Sequence, residues 1–447
     1  MREKDISAMP AIQNIPVYRL STVLERTGLK ADTVRAWERR YGLPAPQRTK
    51  GGHRLYSRRD IATLQWLTAR LEEGLRISAA VALWRELSDQ GQDPLSAWPW
   101  VRTTSGPPAS PLDHIRTAWL NACLAFDESG ARQLLNQSFA LHDVETVCLQ
   151  VLCQGLYEIG ELWYRDRATV QQEHFTTELA VRRLHALMLA TPPPTRPETV
   201  LVAMPPGEQH GVPALLLTLM LRRRGLQVLY LGADVPAERL NRVLEDARPA
   251  ALVLLAQMLS SAAALRDTAQ AVLGSGIPVG YGGRIFNIVP ETRRHIPGYF
   301  LGETLETGLS GIEMLLSEDL PAPEVPPSNE ALAGVRDALL QAGDGIAFDV
   351  KQRMAALGTP ATAMDTALRF TRRQLLAALS LGDLDFMQGE LTWVEGLLQH
   401  RRVAPAMLPA FWRAYREAIV QHAGAQGQVI ADWLAEQPLG NSKGNNT

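Results

Sequence analysis

The chain has 447 residues, a formal charge of -2 and 46% hydrophobic residues. That is enough apolar material for several cores, and the length fits two to four domains. Three cysteines (Cys123, Cys148, Cys153) form no Cys-x-x-Cys pair, which excludes a disulfide scaffold and points to reduced residues in helix cores. The N-terminus lacks an apolar signal core and no apolar run reaches about 18 residues, so a soluble, cytoplasmic protein is expected.

The near-neutral total hides an uneven distribution. Residues 16–60 hold eleven Lys/Arg against four acids, an excess of +7. A local excess of this size is the electrostatic footprint of phosphate binding. A first helix is expected with Ser21 as its N-cap, carrying Val23, Leu24 and Thr27 and closed by Gly28. A second opens at Ala31-Asp32-Thr33, with Val34, Trp37 and Tyr41 at three- and four-residue steps and Arg35, Arg39 and Arg40 outward. Two short helices joined by a glycine-containing turn make a helix-turn-helix. Arg48 to Tyr56 then reads as a basic hairpin with Gly51-Gly52 at its tip, a wing able to lie along a phosphate backbone.

The stretch TVRAWERRYGLPAPQRTKGGHRLYSRRDIATLQWL resembles the winged helix-turn-helix of the MerR family of transcriptional regulators, over about Tyr18 to Leu87 (domain 16–87). The resemblance implies dimeric binding to double-stranded promoter DNA, with the second helix in the major groove and the wing on flanking DNA. It places Thr33, Arg35, Arg39 and Tyr41 on the reading helix. Arg48, Lys50, His53, Arg54 and Tyr56 fall on the wing. Trp37 and Leu55 are expected in the core.

Residues 88–112, rich in Pro, Gly and Ser, mark a linker. From 113 to 190 the pattern is helical, in four segments near 113–125, 127–140, 143–165 and 169–190, expected as a four-helix bundle. Trp163 is followed after nine residues by Glu173-His174. By pattern alone this is either a ligand face or an ordinary core indole and surface histidine.

After TPPPTRP (191–197) the chain alternates strand-like and helix-like segments to residue 318. Strands are expected at 200–204, 227–232, 251–256, 277–283 and 298–302. Helices are expected at 212–225, 236–249, around 260–274 and about 304–316. This predicts a doubly wound parallel, Rossmann-like sheet (197–318) with ligands at the carboxyl ends of its strands. Those ends are Pro205–Gly211, Gly232–Asp234, Ala256–Ser261 and Tyr281–Arg284. No GxGxxG or GxxxxGK[ST] occurs, which argues against a dinucleotide or P-loop site. His210 stands on the first loop with Glu208 two positions before it, where a carboxylate can orient an imidazole toward a metal. A surface histidine on a turn is the plain alternative.

Cap and α/β block together resemble a cobalamin-binding domain with its helical cap. Glu208-x-His210 stands where that family has Asp/Glu-x-His-x-x-Gly, and the resemblance implies His210 as lower axial ligand of cobalt. Gly282-Gly283 matches the family's Gly-Gly, which makes room for the nucleotide tail. Trp163-x9-Glu173-His174 matches the adenosylcobalamin-dependent photoreceptor regulators of the CarH type, which share this domain order; there these side chains face the upper side of the corrin. The implied cofactor is cobalamin, as adenosylcobalamin. Three positions depart: Pro213 replaces the motif glycine, Ala256 a serine of the tail pocket, and Tyr164 the histidine after the cap tryptophan. A phenol titrating near ~10 cannot form the bis-imidazole adduct of the light-driven members at neutral pH.

A Pro-rich linker (319–330) leads to a helical block at 331–436, with a disordered tail expected at 437–447. LLAALSLGDLDFMQGEL (375–391) faintly echoes WLNACLAFDESGARQLL (119–135) in the cap. The block is either an oligomerisation bundle or a second sensory pocket built from His400, Arg401, Arg402, Trp412 and His422.

The whole is expected to be a multidomain α and α/β protein: winged helix-turn-helix, helical cap, Rossmann-like domain and C-terminal helices. The expected function is a ligand-responsive, non-enzymatic transcriptional regulator, self-associating as a dimer or tetramer, with cobalamin as signal and light as a further option. One alternative is a regulator whose degenerate domain takes another ligand or a partner protein. Another is a cobalamin-dependent methyltransferase or mutase component.

Overall fold

The computed structural model describes residues 16–18, 20–48, 54–72, 75–89, 94–95, 111–317, 323 and 330–437. It divides into two compact units that meet in the chain between Thr176 and Thr177.

The first unit opens with β1 (Pro16–Tyr18), α1 (Leu20–Thr27), α2 (Ala31–Tyr41), β2 (Gln47–Arg48), β3 (Arg54–Ser57), α3 (Arg58–Glu72) and α4 (Ile77–Asp89). β3 is central, antiparallel to β1 and β2. The register Gln47↔Leu55 and Arg48↔Arg54 forms the two arms of the expected wing. Gly28 and Gly42 close α1 and α2 at φ 67° and 71°, a left-handed turn that glycine adopts without a Cβ penalty. Ser21 is the second residue of α1 and not its cap, since the helix already starts at Leu20. A serine is tolerated there because first-turn N–H groups have no helical partners. Asp60 fixes the base of the wing, accepting from Ser57 N–H and Oγ (both 2.7 Å) and from Ala45 N–H (3.0 Å). Val23, Val34, Trp37, Tyr56, Leu64 and Leu67 make the core.

The cap follows as α5 (Pro111–Leu124), α6 (Glu128–Leu141), α7 (Val144–Val147), a π-helical turn (Cys148–Cys153), α8 (Gln154–Tyr164) and α9 (Val170–Leu189). Asp127 and Asp143 cap α6 and α7 through Gly130 N–H (2.9 Å) and Thr146 N–H (2.8 Å). Trp119, wholly buried, packs against Gly155, where a Cβ would fall 2.6 Å from the indole ring. Arg116 ties α5 to α8 through Glu158 (2.8 Å) and to the π turn through the Gln150 carbonyl (3.1 Å). Cys123 and Cys148 are buried, Cys153 nearly so, and none of the three is in a disulfide.

The second unit holds β4 (Thr199–Ala203), α10 (Val212–Arg223), β5 (Gln227–Gly232), α11 (Leu240–Ala247), β6 (Ala251–Leu255), α12 (Leu259–Val272), β7 (Val279–Gly282), α13 (Ile285–Ile288), β8 (Tyr299–Phe300) and α14 (Leu305–Ser317). The sheet is wholly parallel in the order β5-β4-β6-β7-β8. β6 is buried along its whole length, as a central strand covered on both faces must be. The helix expected from 236 starts only at Leu240, because Arg239 takes a left-handed conformation (φ 66°).

The chain ends in α15 (Glu330–Ala355), α16 (Ala361–Leu381), α17 (Gln388–His400) and α18 (Met407–Glu436), the last kinked at Gly424. These helices do not stand apart. α16 packs along α12, and Leu265 and Ala269 share one apolar cluster with Leu375, Ala378 and Leu379. The rings of His295 and Phe386 meet edge to face at 5.5 Å. Among the described residues no helix is long and apolar enough to cross a membrane.

Candidate functional site

In the order β5-β4-β6, the chain leaves β4 toward one edge and returns to build the sheet toward the other, so β4 and β6 flank the topological switch point where open α/β sheets bind ligands. The loop after β4 holds Glu208 and His210; the loop after β6 holds Gln257 and leads into α12. One wholly buried carboxylate joins them. Glu208 Oε1 accepts from His210 N–H (2.9 Å) and pairs with His210 Nδ1 at 2.6 Å. Glu208 Oε2 accepts from Gln257 N–H and from the Ser261 hydroxyl, both at 2.6 Å. Burial pushes the Glu208 carboxyl up, but the bonds from His210, Ser261 and Gln257 outweigh it and hold the group down at about 2. An ionised Glu208 selects the tautomer with its proton on Nδ1, leaving the lone pair on Nε2. This is the second-shell arrangement that orients metal-ligating histidines.

Asp234 at the end of β5 (φ 54°) pins the Pro-Pro-Gly turn. It accepts from Gly207 N–H at 2.8 Å and from Gln209 Nε2 at 3.2 Å, and its own N–H bonds the Glu208 carbonyl at 3.1 Å. Pro213 lies in the first turn of α10, where a missing N–H breaks no helical bond. Ala256 bonds the Gly282 carbonyl through its N–H at 3.0 Å. Gly283 has φ 121°, and a Cβ there would fall on the Ala256 carbonyl, 2.8 Å from its carbon. At Gly282 a Cβ would meet only Leu255 Cδ2, at 3.6 Å. Arg284 donates from its N–H to Gln257 Oε1 (3.2 Å) and from Nη1 to the Gln257 carbonyl (3.3 Å). Gln257 Nε2 is buried with no hydrogen-bond partner among the described residues. Gln257, Ser261 and Asp234 were not singled out as site residues in the sequence. Ser261 left only the faint signal of a serine in the first turn after a strand.

In the cap unit Trp163 and Tyr164 are buried at the end of α8. Burial pushes the Tyr164 phenol up to about 12, so it stays protonated at neutral pH. Glu173 and His174 begin α9 and pair with each other, Nδ1 to Oε2 at 2.8 Å. His174 is the more exposed of the two.

On the basic module Arg35 and Arg39 are exposed along α2, with Thr33 and Tyr41 half-buried. Arg54 bonds Glu38 of α2 at 2.6 Å, tying the wing to the helix behind it. Tyr56 is wholly buried. The expectation that it meets DNA from the wing is corrected: it stands in central β3 but belongs to the buried cluster that also holds Val34, Leu64 and Leu67. Leu55 is only half-buried. Lys50 and His53 lie outside the described residues, as does the side chain of Arg48.

The five C-terminal residues named for a second pocket differ in their settings. Trp412 is core, stacked edge-on with Phe411 at 5.0 Å. His422 Nε2 pairs with Asp349 at 2.9 Å. His400, Arg401 and Arg402 are exposed at the end of α17.

The model of the MerR HTH family regulatory protein matches residues 18–87, and that of the B12 binding domain matches residues 115–188. The HTH-type transcriptional repressor CarH of Myxococcus xanthus is 33% identical over 269 residues, 60% of this chain and 88% of that protein. The chain belongs to the CarH-like MerR regulators. As a CarH-like regulator it is a DNA-binding transcriptional regulator with a B12-binding domain, and the matched segment is the four-helix cap. The repressor CarA of the same organism is 31% identical over 239 residues, 53% of this chain and 75% of that protein. Among solved structures, the monomethylamine corrinoid protein of Methanosarcina barkeri is 17% identical, covering 45% of this chain and 96% of its own at a TM-score of 0.39, too loose a likeness to bear on function.

Proposed function

We propose that this CarH-like regulator is a corrinoid sensor without enzymatic activity, self-associating to bind paired half-sites. The carrying observation is the Glu208–His210 pair at the switch point, oriented by a buried, ionised carboxylate. The donor set fits a cobalt ion that would take one imidazole nitrogen, from His210. The buried, unpartnered Gln257 Nε2 offers a donor to a polar edge of the same ligand. His210 would hold the metal, Gly282 would admit the nucleotide tail, and Trp163, Glu173 and His174 would contact the upper ligand, which we propose to be adenosyl.

Bound cobalamin would supply a cobalt–carbon bond whose state the cap can read. Glu208 keeps the imidazole in its metal-facing tautomer, and the loop held by Asp234 keeps its position. By the resemblance Tyr164 takes the place of the histidine of the light-driven members, and burial keeps its phenol protonated at neutral pH. We therefore propose occupancy of the site, and not a bis-imidazole photoproduct, as the signal. Coupling between this site and DNA is allostery between distinct sites.

The test is an absorption spectrum of protein mixed with adenosylcobalamin in darkness, desalted, scanned, lit with green light and rescanned. Retained corrin in the wild type and its loss in His210→Ala are expected, with changed operator affinity and oligomeric state on loading. No retained corrin, or identical DNA affinity with and without it, would refute the proposal.

A further inference from the structure

Arg116 of α5 reaches three acceptors on three pieces of the cap. Its Nε donates to Glu158 Oε1 of α8 at 2.8 Å. Its Nη1 donates to Asp113 Oδ1 of its own helix at 2.8 Å and to the Gln150 carbonyl of the π turn at 3.1 Å. The side chains of Arg116, Asp113 and Glu158 are all nearly buried. Burial pushes the Glu158 carboxyl up and Arg116 opposes it, while Glu158 Oε2 is buried with no hydrogen-bond partner among the described residues. The Gln150 carbonyl lies in a turn wider than α, where the Gln154 N–H reaches back to the Leu149 carbonyl. Such turns are rare and gather at functional sites. Three residues after Arg116, Trp119 sits on Gly155 and leaves no room for a Cβ there. α5 thus grips the helix at Gln150, Gly155 and Glu158, and Trp163 stands on that same helix little more than one turn beyond Glu158.

We infer that Arg116 is a positioning residue for Trp163. The inference rests on the reading of Trp163 as a contact of the upper ligand. Arg116 fixes the π turn and α8 as one piece against α5, and Trp163 is carried at the end of that piece. A guanidinium suits the place because its planar fork serves a carboxylate and a carbonyl together, whereas an ammonium is a point donor on a flexible stem. Without it Asp113 and Glu158 lose the cation they share, and the Gln150 carbonyl loses a donor in a setting where a lost bond is not replaced by water. α8 then gains freedom to slide against α5, and the indole leaves the place the ligand needs.

Two measurements on the full chain test this. The first uses no corrinoid. It records ¹⁹F magnetic resonance of protein labelled with fluorotryptophan, with the Trp163 signal assigned through Trp163→Phe. In Arg116→Ala that signal is expected to move by more than its linewidth, and to return with millimolar guanidinium ion but not with ammonium. Arg116→Lys, which keeps the charge, is expected to move it part of the way. Leu135→Ala, in the buried face of α6, should lower the melting temperature and leave the signal in place. An unmoved signal in both Arg116 variants, or one moved as far by Leu135→Ala, would make the role purely structural and overturn the inference. The second compares binding of adenosylcobalamin and methylcobalamin in darkness, which differ only in the upper ligand. Arg116→Ala is expected to lower the ratio of the two affinities about tenfold, the scale of one misplaced aromatic contact. An equal loss for both would also overturn the inference. If the wild type binds neither, the sensor reading fails alone, and the fluorine signal still decides whether Arg116 positions Trp163.

Discussion

Replacing each glycine of the Gly282-Gly283 pair by alanine should separate two roles that the motif merges. At Gly283 a non-glycine residue must adopt φ 121°, a conformation costing on the order of 1–3 kcal/mol. Its Cβ would also fall on the Ala256 carbonyl, 3.0 Å from the Ala256 nitrogen. A backbone neighbour cannot turn aside as a side chain can, and the forced shift adds roughly 1–3 kcal/mol. Gly283→Ala should therefore lose about 3 kcal/mol or more, a drop of roughly 6–12 °C in melting at ~2–4 °C per kcal/mol for a unit of this size. At Gly282 the new methyl meets only Leu255 Cδ2 at ordinary contact distance, so Gly282→Ala should stay within about 0.5 kcal/mol of wild type. It should nonetheless weaken corrin retention, because the methyl would intrude on the proposed tail pocket. Thermal melts by circular dichroism and corrin absorbance after desalting read the two effects. A Gly283→Ala protein melting within about 2 °C of wild type would refute the steric reasoning. Full corrin retention in Gly282→Ala would remove the tail pocket from this face.

Glu208→Ala leaves the Gln257 N–H, the Ser261 hydroxyl and the His210 ring without their shared buried acceptor. It should cost about 2–4 kcal/mol in denaturant titration and abolish corrin retention. Arg35→Ala and Arg39→Ala should each weaken DNA binding at every sequence tested and reduce the slope of log affinity against log salt by about 1 if each meets a phosphate. Fluorescence anisotropy at several salt concentrations would show an unchanged slope if neither arginine does. Burial pushes the Cys123 thiol up to about 11 and the Cys153 thiol up to about 12. At pH 8 these two thiols should thus offer almost no thiolate to a disulfide reagent in the native protein, and should react after denaturation; a fast native reaction at either would contradict the packed cap.

Local order was legible because it is written in near neighbours. The helix starts near 127 and 143, the closing Gly28 and the strand–helix alternation of 197–318 all depend on residues within a turn or two, and all lie close to where the pattern puts them. Tyr56 was misplaced because a four-residue strand gives too short an alternation to tell its inner face from its outer one. The Glu208–Ser261 bond spans 53 positions, and only the sheet order brings those positions together. Pro213 looked like a defect until its place in the first turn of α10 removed the cost. The union of α16 with α12 left no trace beyond apolar helix faces, which do not name their partner.

The π turn at Cys148–Cys153 sets the rotational phase of everything after it in its helix. Each residue of a regular helix advances the chain by about 100°, and an i→i+5 turn holds one residue more than an α turn. The direction in which Trp163 and Tyr164 emerge is thus inherited from a widening more than two turns upstream, not from the residues around them. Straightening this turn to α geometry at constant length would swing both aromatics by about 100°, while deleting one residue within Leu149–Leu152 as it straightens would leave them aimed as they are. In a lineage of such caps the π turn is the place where one residue can be gained or lost while the aromatics keep their aim, a tolerance that the regular helix on either side lacks.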